Sequence, residues 1–145
     1  MISYTSGNIL NGPYSHVMVN PINCAGSMGA GLAAQLRDKY PAMYDNYRRR
    51  YLTSGIHIGI PYLYRGTACS ILCFPTKVEW RDPSRLEWID KGLEYLSDNW
   101  DSLIGDSILA MPRIGCGLGG LEWEQVKVLI EGYFADHPGK LLVYI

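Results

Sequence analysis

The sequence predicts an α/β fold in which a mixed sheet carries helices on both faces. Two observations predict it. Short runs rich in β-branched and aromatic residues alternate with stretches whose apolar residues recur at helical spacing. Seven of the sixteen glycines also crowd into two strand-to-helix turns, at 26–31 and 115–120. A length of 145 residues suits one domain over 1–145.

Taken in order, Ile2–Tyr4 and His16–Val19 read as strands, and Pro21 is expected to end the second. The turn Gly26-Ser27-Met28-Gly29-Ala30-Gly31 opens a helix through Leu32, Ala33, Leu36 and Arg37. Pro41 separates it from a polar helical stretch that runs to Tyr51. Ile56–Leu63 and Ala68–Phe74 are the next two strands. Ser84-x-x-Glu87 is a capping-box pattern, after which Leu86, Ile89, Leu93, Leu96 and Trp100 recur at helical spacing. Ser107–Met111 is a strand, and Gly115–Gly120 the second turn. Glu122 then starts a helix with Val126, Leu129, Ile130 and Tyr133 on its apolar face, and Leu141–Ile145 closes the chain as a strand.

Composition excludes several function classes. A formal net charge of −1 supplies no global field for gripping nucleic acid, so nucleic acid is met through a local patch or not at all. No apolar run approaches the roughly 20 residues that span a membrane, and the first residues, Met1-Ile2-Ser3-Tyr4-Thr5, carry no signal-peptide pattern. A cytoplasmic protein is therefore expected. Cys24, Cys69, Cys73 and Cys116 form no C-x-x-C pair and have no histidine at zinc spacing, so they read as small hydrophobes in a reducing compartment. No metal is expected.

The glycine turns carry the chemistry. Each follows a strand and precedes a helix, which in an open α/β sheet is the ligand edge. Glycine lets main-chain N–H groups approach a phosphate closely, and a helix N-terminus behind it adds a favourable dipole. Two such loops suit the two phosphates of a pyrophosphate. Gly115-x-Gly117-x-x-Gly120 matches G-x-G-x-x-G in form, but too little chain follows for a second βαβ half and the last acid is Asp136. Asn20 and Asn23 flank the first loop as turn caps or ribose contacts. Thr76-Lys77 ends a strand at the same edge, where Lys77 is either a solvated charge or, shielded near Arg81 or Arg113, a nucleophile. Arg48-Arg49-Arg50 is a solvated helix face or a phosphate-contacting patch. His16, His57 and His137 have no paired acid in view.

Several pieces together resemble a macrodomain, the ADP-ribose-binding module. They are Gly7-Asn8-Ile9-Leu10, Val19-Asn20-Pro21-Ile22-Asn23, Gly29-Ala30-Gly31-Leu32-Ala33, Phe74-Pro75-Thr76-Lys77 and Pro112-Arg113-Ile114-Gly115-Cys116-Gly117-Leu118-Gly119-Gly120-Leu121-Glu122-Trp123. Each is weak alone, but together they run in the family's order over nearly the whole chain. Within the family the chain is most similar to the DarG-type antitoxin branch. It also resembles the terminal ADP-ribose glycohydrolases and the yeast-type ADP-ribose 1″-phosphate phosphatases.

The resemblance implies a three-layer α/β/α fold with ADP-ribose at the sheet edge. It implies adenine contacts from Asn8 and Ile9, and a distal-ribose contact from Asn23. Met28, Gly29, Ala30, Gly31 and Leu32, with Ile114, Gly115, Cys116, Gly117, Leu118 and Gly119, would wrap the pyrophosphate and distal ribose. Asn20, Thr76, Pro112 and Arg113 complete the expected contact set, and Lys77 matches the catalytic lysine of the DarG-type branch.

Gly119 stands where the terminal glycohydrolases carry an aspartate, so a Lys–Asp dyad is not expected. The run Lys77-Val78-Glu79-Trp80-Arg81 also has less basic charge than that branch commonly shows.

The leading expectation is an ADP-ribosyl glycohydrolase acting on modified nucleic-acid bases, thymidine in DNA first. Lys77 would attack the anomeric carbon or stabilise the opened ribose. ADP-ribosylated single-stranded DNA is the implied partner, and a monomer without cofactor is expected. A phosphatase acting on ADP-ribose 1″-phosphate and a non-catalytic ADP-ribose binder are the alternatives. The antitoxin's toxin-contacting region has no counterpart in these 145 residues, so toxin binding by that route is not expected.

Overall fold

A computed structural model describes residues 1–145. Six strands form one sheet: β1 (Ile2–Thr5), β2 (Val17–Asn23), β3 (Tyr62–Arg65), β4 (Ser70–Lys77), β5 (Ile108–Met111) and β6 (Lys140–Tyr144). Their order across the sheet is β1-β6-β5-β2-β4-β3. Every neighbouring pair is parallel except β3 with β4, so the sheet is mixed with one antiparallel edge.

Parallel strands are covered on both faces, and alternation along each strand sorts side chains between two cores. Along β2, Val17 and Val19 face one core while Met18 and Ile22 face the other; along β4, Leu72 and Phe74 oppose Ile71 and Cys73. The first core lies under α3 (Leu86–Asp98), the short α4 (Trp100–Leu103) and α5 (Trp123–Phe134). The second lies under α1 (Gly31–Lys39) and α2 (Pro41–Leu52). This makes three layers, α/β/α. On α3, Ile89, Leu93 and Leu96 are fully buried, a one-sided stripe in which each side chain contributes about 1.5–3 kcal/mol. No helix is long and apolar enough to cross a membrane.

The topology creates the crevice. From β2 the chain passes through α1 and α2 on one face and returns to pair β4 against one side of β2. From β4 it passes through α3 and α4 on the other face to β5, on the opposite side of β2. The carboxyl ends of three adjacent parallel strands, β5, β2 and β4, therefore open at a switch point, where α/β sheets bind ligands.

Three local expectations are corrected. Pro21 lies inside β2 and does not end it, because β5 pairs only with Val17 and Met18 and leaves that side of the later strand free of a ladder. Residues 56–61 are not strand: Gly59 takes φ +83 in a turn where Ile60 N–H donates to His57 O (3.2 Å), and β3 begins only after Pro61. Ser84 does not cap α3. The helix begins at Leu86 behind Arg85, with no side-chain cap, and the Ser84 hydroxyl is buried without a partner. Its N–H instead donates to Gly119 O (2.9 Å), tying it to the second glycine loop.

A candidate ligand cleft

A cleft of about 820 Å³ opens at the carboxyl ends of β2, β4 and β5. Its first wall is the loop 24–30 between β2 and α1. Asn23 organises that loop. Its Oδ1 accepts from Ala25 N–H (3.0 Å) and Ser27 N–H (3.3 Å), and its Nδ2 donates to Ser27 O (2.7 Å). One amide hydrogen of Asn23 remains for the cleft.

Tyr47, fully buried on α2, locks the same loop from beneath. Its hydroxyl accepts from Gly26 N–H (3.1 Å) and lies 2.7 and 2.8 Å from the main-chain and side-chain oxygens of Asn23, to which it donates. Burial pushes the Tyr47 hydroxyl above its ordinary pKa, so it stays a neutral donor. Arg48 and Arg37 hold the carbonyls of Gly26 and Met28 (2.8 and 3.0 Å). Gly26 itself requires φ +81 and stands against Arg48 and Tyr51, with no room for a side chain.

The helix behind this wall begins without a side-chain cap, and Ala34 N–H makes the first helical bond. The N–H groups of Gly31, Leu32 and Ala33 therefore have no acceptor in the protein, and all three residues line the cleft. The opposite wall is the loop 112–120 after β5. There the N–H groups of Gly117, Leu118 and Gly119 are also without a main-chain acceptor. The loop is tight: a Cβ at Gly119 would collide with Gly115 O, so the position admits glycine alone without a loop shift. Leu118 reaches towards the first wall, its Cδ1 3.7 Å from where a Cβ would sit on Gly31.

The expectation of a helix N-terminus behind each loop holds only for the first. α5 begins at Trp123, and neither that residue nor Glu122 lines the cleft.

Lys77 comes from β4. A bulge pairs Ile22 with Pro75 but Asn23 with Lys77, which sets the lysine beside the loop-organising asparagine. Thr76 is the extra residue, buried at the cleft floor, with its hydroxyl 3.4 Å from Ile22 O. Lys77 is half-buried, and its Nζ donates to Trp80 O (3.1 Å).

Most of the expected contact set converges here. Asn23, Met28, Gly29, Ala30, Gly31 and Leu32 line the cleft from one side. Pro112, Arg113, Gly115, Gly117, Leu118 and Gly119 line it from the other, with Thr76 and Lys77 between.

Five expected residues do not line it. Asn20 is fully buried, with its Nδ2 3.8 and 3.6 Å from the sulfurs of Met28 and Met43, because its place in β2 turns it into the second core. Ile114 is fully buried in the first core, and Cys116 is half-buried, with its Sγ 3.4 Å from Ile114 O. Asn8 caps a short 3-10 turn, its Oδ1 accepting from Leu10 N–H (2.9 Å), and Ile9 packs into the second core.

The arginine triplet is divided. Arg48 braces the loop, Arg50 stacks over Tyr62 (4.0 Å) and Arg49 is exposed; none lines the cleft. His57 bonds to Ser54 O, and His137 bonds to Ser97 O and Gly139 N–H while packing on Trp100 and Phe134.

Trp80, outside the expected contact set, also lines the rim beside Arg81. The available signal was a tryptophan three residues past a strand end, among charged neighbours that leave nothing to bury it.

The family model for the Macro domain matches residues 19–130. The chain is a macrodomain. The DNA ADP-ribosyl glycohydrolase of Mycobacterium tuberculosis is 36% identical over 142 residues, which cover 95% of this macrodomain and 40% of that protein. This macrodomain thus spans about two-fifths of that relative's length. The solved macrodomain of Mycobacterium tuberculosis DarG aligns with a TM-score of 0.90 at 33% identity, covering 99% of this chain and 97% of that one. Thermosipho africanus DarTG in complex with ADP-ribose aligns with a TM-score of 0.90 at 28% identity, covering 99% of this chain and 41% of that one.

The electrostatics of this macrodomain's cleft follow from its lining. Lys77, Arg81 and Arg113 contribute three cations and no carboxylate lines it, although the whole chain carries a net charge of −1. Free amides on both walls add partial positive charge. The cleft is built for an anion and lacks a carboxylate for acid–base work.

Proposed function

We propose that this macrodomain binds ADP-ribose and removes it from a modified nucleobase, thymidine in DNA first, with Lys77 acting at the anomeric carbon. One observation carries the reading: Lys77 shares an all-cationic cleft with two walls of unpartnered amides. The 36% identity to a protein named DNA ADP-ribosyl glycohydrolase supports the same reaction.

In this reading the pyrophosphate lies between the amides of Gly31–Ala33 and those of Gly117–Gly119. The remaining amide hydrogen of Asn23 meets the distal ribose. Lys77 first gives its ammonium proton to solvent; the amine so formed attacks the anomeric carbon, and the bond to the base nitrogen breaks with its electron pair leaving on the base. The base takes up the proton that the amine gives away. Water then displaces the lysine, releasing ADP-ribose and restoring the amine. Trp80 O holds the amine at the cleft until substrate arrives. With glycine at 119, no carboxylate partners the lysine in this cycle.

The test is release of ADP-ribose from thymidine-linked ADP-ribosylated single-stranded DNA. Lys77→Ala is expected to bind ADP-ribose while losing turnover by more than ~100-fold. Full turnover in Lys77→Ala refutes the mechanism. Tight ADP-ribose binding with no turnover by the unaltered chain selects the binder, and phosphate release from ADP-ribose 1″-phosphate alone selects the phosphatase.

A further inference from the structure

We infer that Trp80 and Arg81 form a separate subsite on the cleft rim that stacks the planar base leaving from the anomeric carbon and makes no use of the polynucleotide backbone. This rests on the reading above, in which the leaving group is a nucleobase.

The first observation is exposure without a partner. Trp80 is 56% exposed and lines the cleft, and Val78 beside it is 43% exposed. The Trp80 ring has one stacking neighbour, the Arg81 guanidinium 5.0 Å from its centroid. A large aromatic left uncovered at a cleft mouth marks a contact surface. The second observation is position. Trp80 O accepts from Lys77 Nζ at 3.1 Å, so the ring belongs to the same short segment as the attacking amine. The turn is closed by Asp82 N–H donating to Glu79 O (3.2 Å). The two amide walls hold the phosphates, so the anomeric carbon and the base it carries lie at the Lys77 end of the cleft, with the attacking amine and the departing base on opposite faces of that carbon.

The third observation is shape and charge. An indole and a guanidinium are both flat, and together they offer a π face with a cation at its edge. That surface suits a planar heterocycle better than a tetrahedral phosphate or a flexible aliphatic side chain. The segment from Lys77 to Asp82 carries two cations, Lys77 and Arg81, and two anions, Glu79 and Asp82. With no net charge it gains nothing from neighbouring DNA phosphates, and binding there releases few counterions. The substrate requirement therefore ends at the base. ADP-ribosylated thymidine nucleoside is cleaved about as well as the ADP-ribosylated oligonucleotide.

The test compares the unaltered chain with Trp80→Ala and Trp80→Phe on thymidine-linked ADP-ribose, as nucleoside and as oligonucleotide, with ADP-ribose affinity measured alongside. Trp80→Ala is expected to lower kcat/KM about 10- to 100-fold on both substrates, the scale of one base–aromatic stack. Trp80→Phe is expected to recover most of that loss, and ADP-ribose affinity to stay unchanged in both variants. In the unaltered chain the two substrates are expected to agree within about threefold, with little change between about 50 and 200 mM salt.

Unaltered kcat/KM in Trp80→Ala overturns the subsite while leaving the glycohydrolase reading intact. Equal losses of ADP-ribose affinity and kcat/KM overturn it too, because the ring would then serve ADP-ribose itself. A strong, salt-sensitive preference for the oligonucleotide overturns the claim that the backbone is unused. No cleavage by the unaltered chain overturns the parent reading and the subsite with it.

Discussion

Tyr47 does not itself line the cleft, yet Tyr47→Phe, which removes one oxygen atom, is expected to weaken ligand binding. The hydroxyl accepts from Gly26 N–H at 3.1 Å and donates to Asn23, whose two oxygens lie 2.7 and 2.8 Å away. The ring stays, so no cavity opens. Two buried hydrogen bonds at about 0.5–1.5 kcal/mol each place the loss of stability at ~1–3 kcal/mol. For a domain of this size that lowers Tm by about 3–10 °C. The larger consequence is local. Gly26 holds φ +81, and its N–H loses its acceptor, so the 24–30 loop no longer presents its amides pre-ordered. ADP-ribose affinity is expected to fall by roughly 3- to 10-fold, which is about 0.7–1.4 kcal/mol of added ordering cost. Calorimetric titration with ADP-ribose, beside a thermal melt, reads both quantities. An unchanged Tm with an unchanged Kd would refute the idea that α2 holds the binding loop through this hydroxyl.

Two further outcomes follow from buried groups. Burial pushes the Cys73 thiol up to about 12 from its ordinary 9.0, against smaller lowering effects from Tyr62 and Arg50. The folded chain therefore holds that proton longer than the unfolded chain. This contribution is fully present below about pH 9 and is lost as pH rises towards 12, at up to ~1.4 kcal/mol per pH unit. Urea denaturation at pH 9 and pH 11 should show Cys73→Ala with a flatter decline than the unaltered chain, and parallel declines would contradict the burial argument. Ser84→Ala is expected to change stability by less than ~0.5 kcal/mol, because Ser84 does not cap α3. A loss near 1 kcal/mol, the usual cost of deleting an N-cap, would restore the capping box.

The sheet and the cleft were legible in the sequence to different depths. The continuous apolar run Ile71–Phe74 announces a strand buried on both faces, and the helical stripe Ile89, Leu93, Leu96 announces the one buried face of its helix, because burial itself writes those patterns. The glycine windows announced both walls, since their tight loops need residues without side chains. Pro21 continues its strand because a proline ends a strand only where both sides are paired, and pairing is a property of the sheet. Asn20 and Asn23 are three residues apart in one strand, and the sequence does not show which one faces a core. The bulge at Thr76, which pairs Lys77 with Asn23, depends on the partner strand and leaves no local mark. The charged neighbours of Trp80 mark it as exposed, but only the turn that follows β4 places its ring at the cleft rim.

The most direct measurement is a structure of this macrodomain with ADP-ribose bound, read for the distance from Lys77 Nζ to the anomeric carbon. The pyrophosphate is expected between the amides of Gly31–Ala33 and Gly117–Gly119, with the Lys77 nitrogen within about 3.5 Å of that carbon. A pyrophosphate between those same amides with the lysine still bonded to Trp80 O and turned away from the ribose would contradict that expectation.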